Sequence, residues 1–130
     1  MRVSSLLVLS SSLELGTGLV AIASPSFLAN VLFSADLSPA GKAIGRVCGF
    51  GLLSLAIACW PREGEDHTQT TRALFLYNVL AFCYLGYLRI VGEFSSFLLL
   101  PVCLVHGLLA LLFVRPVYEG RGRQRFEDVT

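Results

Sequence analysis

The sequence predicts an all-α fold: an integral membrane four-helix bundle with a short outer interfacial helix after span one. Three observations carry that expectation. Hydrophobic residues make up 55% of the 130-residue chain and charged residues only 15%, where soluble domains carry about a quarter charged residues. Mean hydropathy is +0.71. Four apolar runs, at residues 4–23, 41–60, 72–91 and 96–114, each come close to the ~20 residues that cross a ~30 Å hydrocarbon core as a helix. With short connectors and a polar tail at 115–130 they account for the chain as one transmembrane domain, leaving no room for a soluble one.

The first span has two faces. Ser11, Glu14, Gly18, Ala21 and Pro25 recur at helical spacing, with Ser10 and Thr17 beside them, whereas Leu6, Leu9, Leu13 and Val20 lie largely opposite. Small and polar residues belong against other helices and leucines against lipid, so Glu14 is expected to point inward. Met1-Arg2, an apolar run and Ala21-Ile22-Ala23 also resemble a signal peptide with a small-residue cleavage site. Glu14 argues against it, because a charge is poorly tolerated in the apolar core of such a leader.

Next, Ser24 suits an N-cap and Pro25 a first helical turn. The apolar pattern to Phe33 is too short to span, so a short interfacial helix or a kinked extension of span one is expected. Residues Asp36 to Pro39 form a turn, with Ser38 as cap and Pro39 in the first turn of span two. That span opens with Gly41, Gly45 and Gly49 on one face, a spacing that lets a neighbouring backbone approach closely. The partner is another span or a second copy, and self-association through this face is expected. Trp60-Pro61 places an indole at the interface.

Residues 61–71 form a polar loop containing His67. Span three is aromatic, with Phe75, Tyr77, Phe82, Tyr84 and Tyr87 accompanying Asn78, and its stripe of Tyr77, Ala81, Tyr84 and Leu88 reads as core packing. Residues 89–96 make a short outer turn. Span four contains Pro101, which removes a backbone donor and predicts a bend; Cys103, His106 and Ala110 share one face.

Basic residues set the expected orientation. Arg2, Arg62, Arg72, Arg115, Arg121, Arg123 and Arg125 flank one set of span ends; only Lys42 and Arg89 flank the other. Positive charge collects on the cytoplasmic side, which predicts cytoplasmic N- and C-termini. The net charge of +1 gives no footprint for nucleic acid. The expected partners are the lipid bilayer and a second copy or another membrane protein.

Each span also carries one strongly polar residue in or near its interior: Glu14, Arg46, Asn78 and His106. Hydrocarbon makes such residues costly, so each needs a partner, a water-filled cavity or a function. In an up-down arrangement Glu14 and His106 lie near mid-membrane. Arg46 lies ~7–8 Å inside the outer boundary, and Asn78 a similar distance inside the cytoplasmic one. A mid-membrane carboxyl is either protonated or paired with a cation, and Arg46 is long enough to reach toward Glu14. The structural alternatives are a snorkelling arginine, an asparagine that glues helices and a neutral core histidine.

Three functions compete on this evidence. One is a site for small-molecule, proton or ion transport or binding around Glu14, Arg46 and His106. Another is a structural accessory subunit of a larger membrane complex. The third is a redox accessory role with a bound metal or cofactor. For a metal, Cys103 and His106 stand three residues apart and Glu14 would be a third ligand. Haem bound through two histidines would need two copies, since only His106 lies in the bundle. The cysteines Cys48, Cys59, Cys83 and Cys103 form no CxxC pair and read as packing residues. No catalytic or nucleotide-binding motif is present, which leaves no cofactor assigned and no enzyme class supported.

Glu14-Leu15-Gly16 with nearby Pro25, the Gly45-Arg46 pair and Tyr77-Asn78 are similar to small uncharacterised bacterial four-span proteins of the broad DoxX-like class. The resemblance covers most of the chain through short motifs. Some members of that class are linked to quinone-dependent sulfur oxidation, a chemistry not carried over here. The resemblance implies a bacterial inner-membrane protein of unassigned activity.

Overall fold

The computed structural model describes residues 2–92, 94 and 96–127, with side chains as far as residue 119. The described residues form five helices: α1 (Val3–Ala23), α2 (Pro25–Phe33), α3 (Pro39–Ala58), α4 (Thr68–Val91) and α5 (Leu99–Glu127). α1, α3, α4 and the Leu99–Glu119 part of α5 are long and apolar enough to cross a membrane. The fold is thus all-α and that of a multi-pass membrane protein, with α2 as the short helix after the first span.

Local chemistry sets the boundaries. Ser38 Oγ accepts from the Gly41 N–H at 3.1 Å, and Pro39 occupies the first turn of α3, as the sequence predicts. Pro25 likewise opens α2, although Ser24 makes no side-chain cap bond. α4 begins four residues before the predicted start, at Thr68, because Asp66 Oδ1 accepts from both the backbone N–H (3.0 Å) and the hydroxyl (2.7 Å) of Thr68. Gly92, at φ 76°, ends that helix in the left-handed conformation that glycine adopts without steric cost.

α5 departs from expectation at both ends. It starts at Leu99 rather than Ser96, so Pro101 falls in the first turn, where backbone N–H groups have no intrahelical partner. The bend predicted there has no cause. At the other end the helix continues through Pro116 to Glu127 instead of stopping at Val114. The side chains of Arg121, Arg123 and Arg125, which entered the orientation argument, lie outside the described residues, as do Glu93 and Ser95 of the predicted outer turn and residues 128–130 of the tail.

The long helices pack as two close antiparallel pairs, α1 with α3 and α4 with α5; α1 alone makes substantial contact with every other helix. The α1–α3 seam rests on glycine. A Cβ on Gly49 would stand 2.9 Å from the Gly18 carbonyl oxygen, and one on Gly18 would stand 3.0 Å from the Gly49 carbonyl oxygen. A Cβ on Gly45 would meet Pro25 at 2.8 Å. The atoms nearest to a Cβ on Gly41 belong to Leu37 and Ser38, in the turn leading into its own helix. The predicted self-association face is therefore corrected: Gly45 and Gly49 are covered by α1 and α2 of the same chain.

Two further contacts close the bundle. At the end where α1 begins, Leu6, Leu7, Cys59, Leu74 and Phe113 form a core to which every long helix or its terminus contributes. Leu6, expected to face lipid, is thus buried, whereas Leu9, Leu13 and Val20 are exposed as predicted. At the opposite end the Ser96 hydroxyl donates to the Val31 carbonyl, and the Phe33 and Phe94 rings stand 5.1 Å apart. α2 is thereby tied to the α4–α5 turn, bridging the two helix pairs.

Candidate functional site

Between those ends, a polar network occupies the place where α1 meets α4 and α5. The inward stripe predicted for α1 holds throughout: Ser11, Glu14, Gly18, Ala21 and Pro25 are all buried, and Ser10 beside them is too. Glu14 is 1% exposed and Asn78 0%.

Asn78 is the hub. Its Nδ2 donates to the Leu74 carbonyl at 2.8 Å, one turn back on α4, and to Ser10 Oγ on α1 at 3.2 Å. Its Oδ1 meets His106 Nδ1 of α5 at 2.9 Å. One side chain thus ties three helices, which explains its complete burial: a carboxamide offers two donors and one acceptor atom, and all are used. The longer α4 also corrects the depth of Asn78. It lies ten residues from the start of the helix, ~15 Å at 1.5 Å per residue, so it stands beside His106 and not below it.

Tyr77 links the hub to Glu14. Its ring meets the His106 ring edge-on, with centroids 5.7 Å apart. Its hydroxyl lies close to the Glu14 carboxyl. Glu14 Oε1 nonetheless has no partner among the described residues, and neither does Ser11 Oγ, one turn earlier on the same face. Two unpartnered buried oxygens on one stripe are unusual, because nearly all buried polar atoms are hydrogen-bonded. Such a place suits a small polar occupant, provided two to four polar groups converge on it.

The structure brings together three of the four polar residues singled out in the sequence and leaves the fourth aside. Arg46 is exposed on α3 and takes no part in the buried site. Gly45 faces Pro25 at the start of α2, and the next residue is rotated ~100° around the helix, away from that contact. Glu14 consequently has no ion-pair partner among the described residues. The metal candidates are corrected as well: Cys103, His106 and Glu14 form no cluster, and the described residues contain no group of three or more His, Cys, Asp or Glu that could hold an ion. The Cys103 thiol is directed instead at the Phe82 carbonyl, 3.6 Å away.

Sequence reasoning missed Tyr77 as a site residue, taking it for one member of a packing stripe. Tyr84, its stripe neighbour, is exposed, so the stripe is not a single core face. The available signal was the hydroxyl: a mid-span tyrosine needs a polar partner when it turns inward. A separate apolar groove of about 720 Å³ is lined only by α4 and α5, from Phe75, Val79 and Phe82 across to Leu104 and Leu111. None of the network's side chains lines it. No protein-family model, curated protein or solved structure matches the chain.

Proposed function

We propose that this chain is a bacterial inner-membrane protein whose buried site, formed by Glu14, Tyr77, Asn78 and His106, binds and passes a proton or another small polar species. The observation that carries this reading is the unpartnered Glu14 Oε1. A carboxyl in the middle of a spanning helix, with no cation beside it, is a costly arrangement that proton relays employ and packing does not need. Tyr77 and His106 supply the exchangeable protons and the lone pair that a carboxyl requires as neighbours. The arginines at the first and last span ends support cytoplasmic termini.

The test uses purified protein in lipid vesicles that hold a pH-sensitive dye, with a pH gradient imposed across them. The wild-type protein is expected to dissipate the gradient faster than protein-free vesicles do, and Glu14→Gln to lose that excess. Dissipation equal to that of empty vesicles, or undiminished in Glu14→Gln, overturns the reading.

A second reading, a structural accessory subunit, draws support from Asn78, whose amide joins α1, α4 and α5. Interhelical bonds of this kind stabilise membrane bundles by ~0.6–2 kcal/mol. Under that reading Glu14→Gln leaves a folded protein with unchanged partners and no proton phenotype.

A further inference from the structure

The bonds around Asn78 determine more than helix packing. A backbone carbonyl only accepts, so the Asn78 atom 2.8 Å from the Leu74 oxygen must be the amide nitrogen. Its oxygen therefore faces His106, and an amide oxygen cannot donate. His106 Nδ1, 2.9 Å away, must carry the hydrogen. In a neutral imidazole the other nitrogen, Nε2, then holds a bare lone pair, and it has no hydrogen-bond partner among the described residues.

We infer that Asn78 is a positioning residue, holding His106 in the Nδ1–H form with Nε2 as the base of the site. A proton arriving at Nε2 leaves the Nδ1–H bond to Asn78 intact, so it can come and go without breaking the network that joins the three helices. Of the titratable groups in the site, Tyr77 of α4 meets the ring edge-on, Glu14 of α1 neighbours Tyr77, and Cys103 stands three residues earlier on α5 with its thiol toward the Phe82 carbonyl; Arg46 of α3 is exposed and does not face the ring. Under the proposed function Glu14 is the acid of the site: loss of its O–H proton leaves carboxylate, and gain of a proton at Nε2 forms an N–H bond there and turns the neutral ring into imidazolium. The form of the ring stands on hydrogen-bond geometry alone, and only this use of Nε2 rests on the proposed function.

The test is nitrogen-15 NMR of the full chain, labelled at histidine, carried on a histidine-free tag. The chain contains only two histidines, so a His67→Gln background leaves the His106 imidazole alone in the spectrum. Above its titration, His106 is expected to show hydrogen on Nδ1 and none on Nε2. On acidification the Nε2 signal should change while Nδ1 keeps its hydrogen. Asn78→Asp, which retains an oxygen toward Nδ1, should preserve this form, and Asn78→Ala should shift the ring to Nε2–H. Hydrogen on Nε2 in the neutral parent protein, or an unchanged ring form in Asn78→Ala, overturns the inference. Nδ1–H in the parent together with undiminished proton flux in Glu14→Gln vesicles would remove the functional reading and leave Asn78 setting the ring.

Discussion

α1 has two interfaces built on opposite principles. Toward α3 it offers Gly18 to Gly49, and the two backbones close to a distance that leaves no room for a Cβ. Toward α4 and α5 it offers Ser10, Ser11 and Glu14 to Asn78, Tyr77 and His106. In lipid there is little hydrophobic force between helices, so dispersion across small residues and hydrogen bonds between polar ones are the two remaining sources of association. The glycine seam uses the first alone and has no polar side chain to offer chemistry. The polar junction uses the second and leaves Glu14 Oε1 and Ser11 Oγ unpartnered. A seam that only holds is saturated in its contacts; a site keeps some valence open.

The seam is the easier of the two to break. In Gly49→Ala the new methyl would meet Ile22 Cγ1 at 2.8 Å, the Gly18 carbonyl oxygen at 2.9 Å and Ala21 Cβ at 3.0 Å. Two of those atoms are backbone or fixed to it, so the helices must part. The expected cost is about 3 kcal/mol, the upper part of the range for overpacking a tight contact, and it outweighs the ~1 kcal/mol gained by alanine over glycine in a helix. Gly51→Ala is the matched control, since nothing lies within 4 Å of its would-be Cβ. Unfolding in mild detergent should show Gly49→Ala strongly destabilised and Gly51→Ala equal to or more stable than the parent. Equal effects at the two positions would mean that the seam does not hold the pair together.

The polar junction should yield less. Asn78→Leu removes the bonds to Leu74, Ser10 and His106 but keeps a branched side chain of the same number of heavy atoms. Backbone carbonyls have a second lone pair in use, so the Leu74 group suffers little. Ser10 and His106 are left in need of partners, and the expected loss is about 2 kcal/mol. The sharper outcome is its location. Cysteine crosslinking should show α1 separating from the α4–α5 pair while the α1–α3 seam stays closed. A uniform loosening of both interfaces would contradict the division of labour.

That division was only partly legible in the sequence. The four spans were readable because the length of an apolar run is fixed by the thickness of the bilayer. The inward stripe of α1 was readable because small and polar residues recur at helical spacing. Helix ends were less so: α4 starts early because the Asp66 carboxylate caps Thr68, and α5 starts late enough that Pro101 meets no resistance. Which polar residues meet depended on the rotation of each helix about its axis. Asn78 and His106 came together once α4 was long enough to bring them level. The Gly41–Gly45–Gly49 face left two partners open, another span or a second copy, and only the close approach of Gly18 decided between them. Tyr77 escaped because an aromatic stripe carries no mark that separates a packing ring from one whose hydroxyl is used.

Arg46 gives the smallest expected effect and the most pointed one. Its guanidinium is within reach of Glu14 by length alone, and a buried Arg–Glu pair would lose about 3–5 kcal/mol when one partner is removed. The seam forbids that arrangement, because turning Arg46 inward would turn Gly45 out from under Pro25. Exposed on α3, it has a side chain long enough to carry its charge toward the membrane surface while its stem stays among lipid tails. Arg46→Ala is therefore expected to change stability by no more than ~0.5 kcal/mol, as for other substitutions away from packed or hydrogen-bonded positions. Proton flux in vesicles should match the parent as well. A large loss of stability that Glu14→Gln relieves would place Arg46 on Glu14 and reverse the rotation assigned to α3.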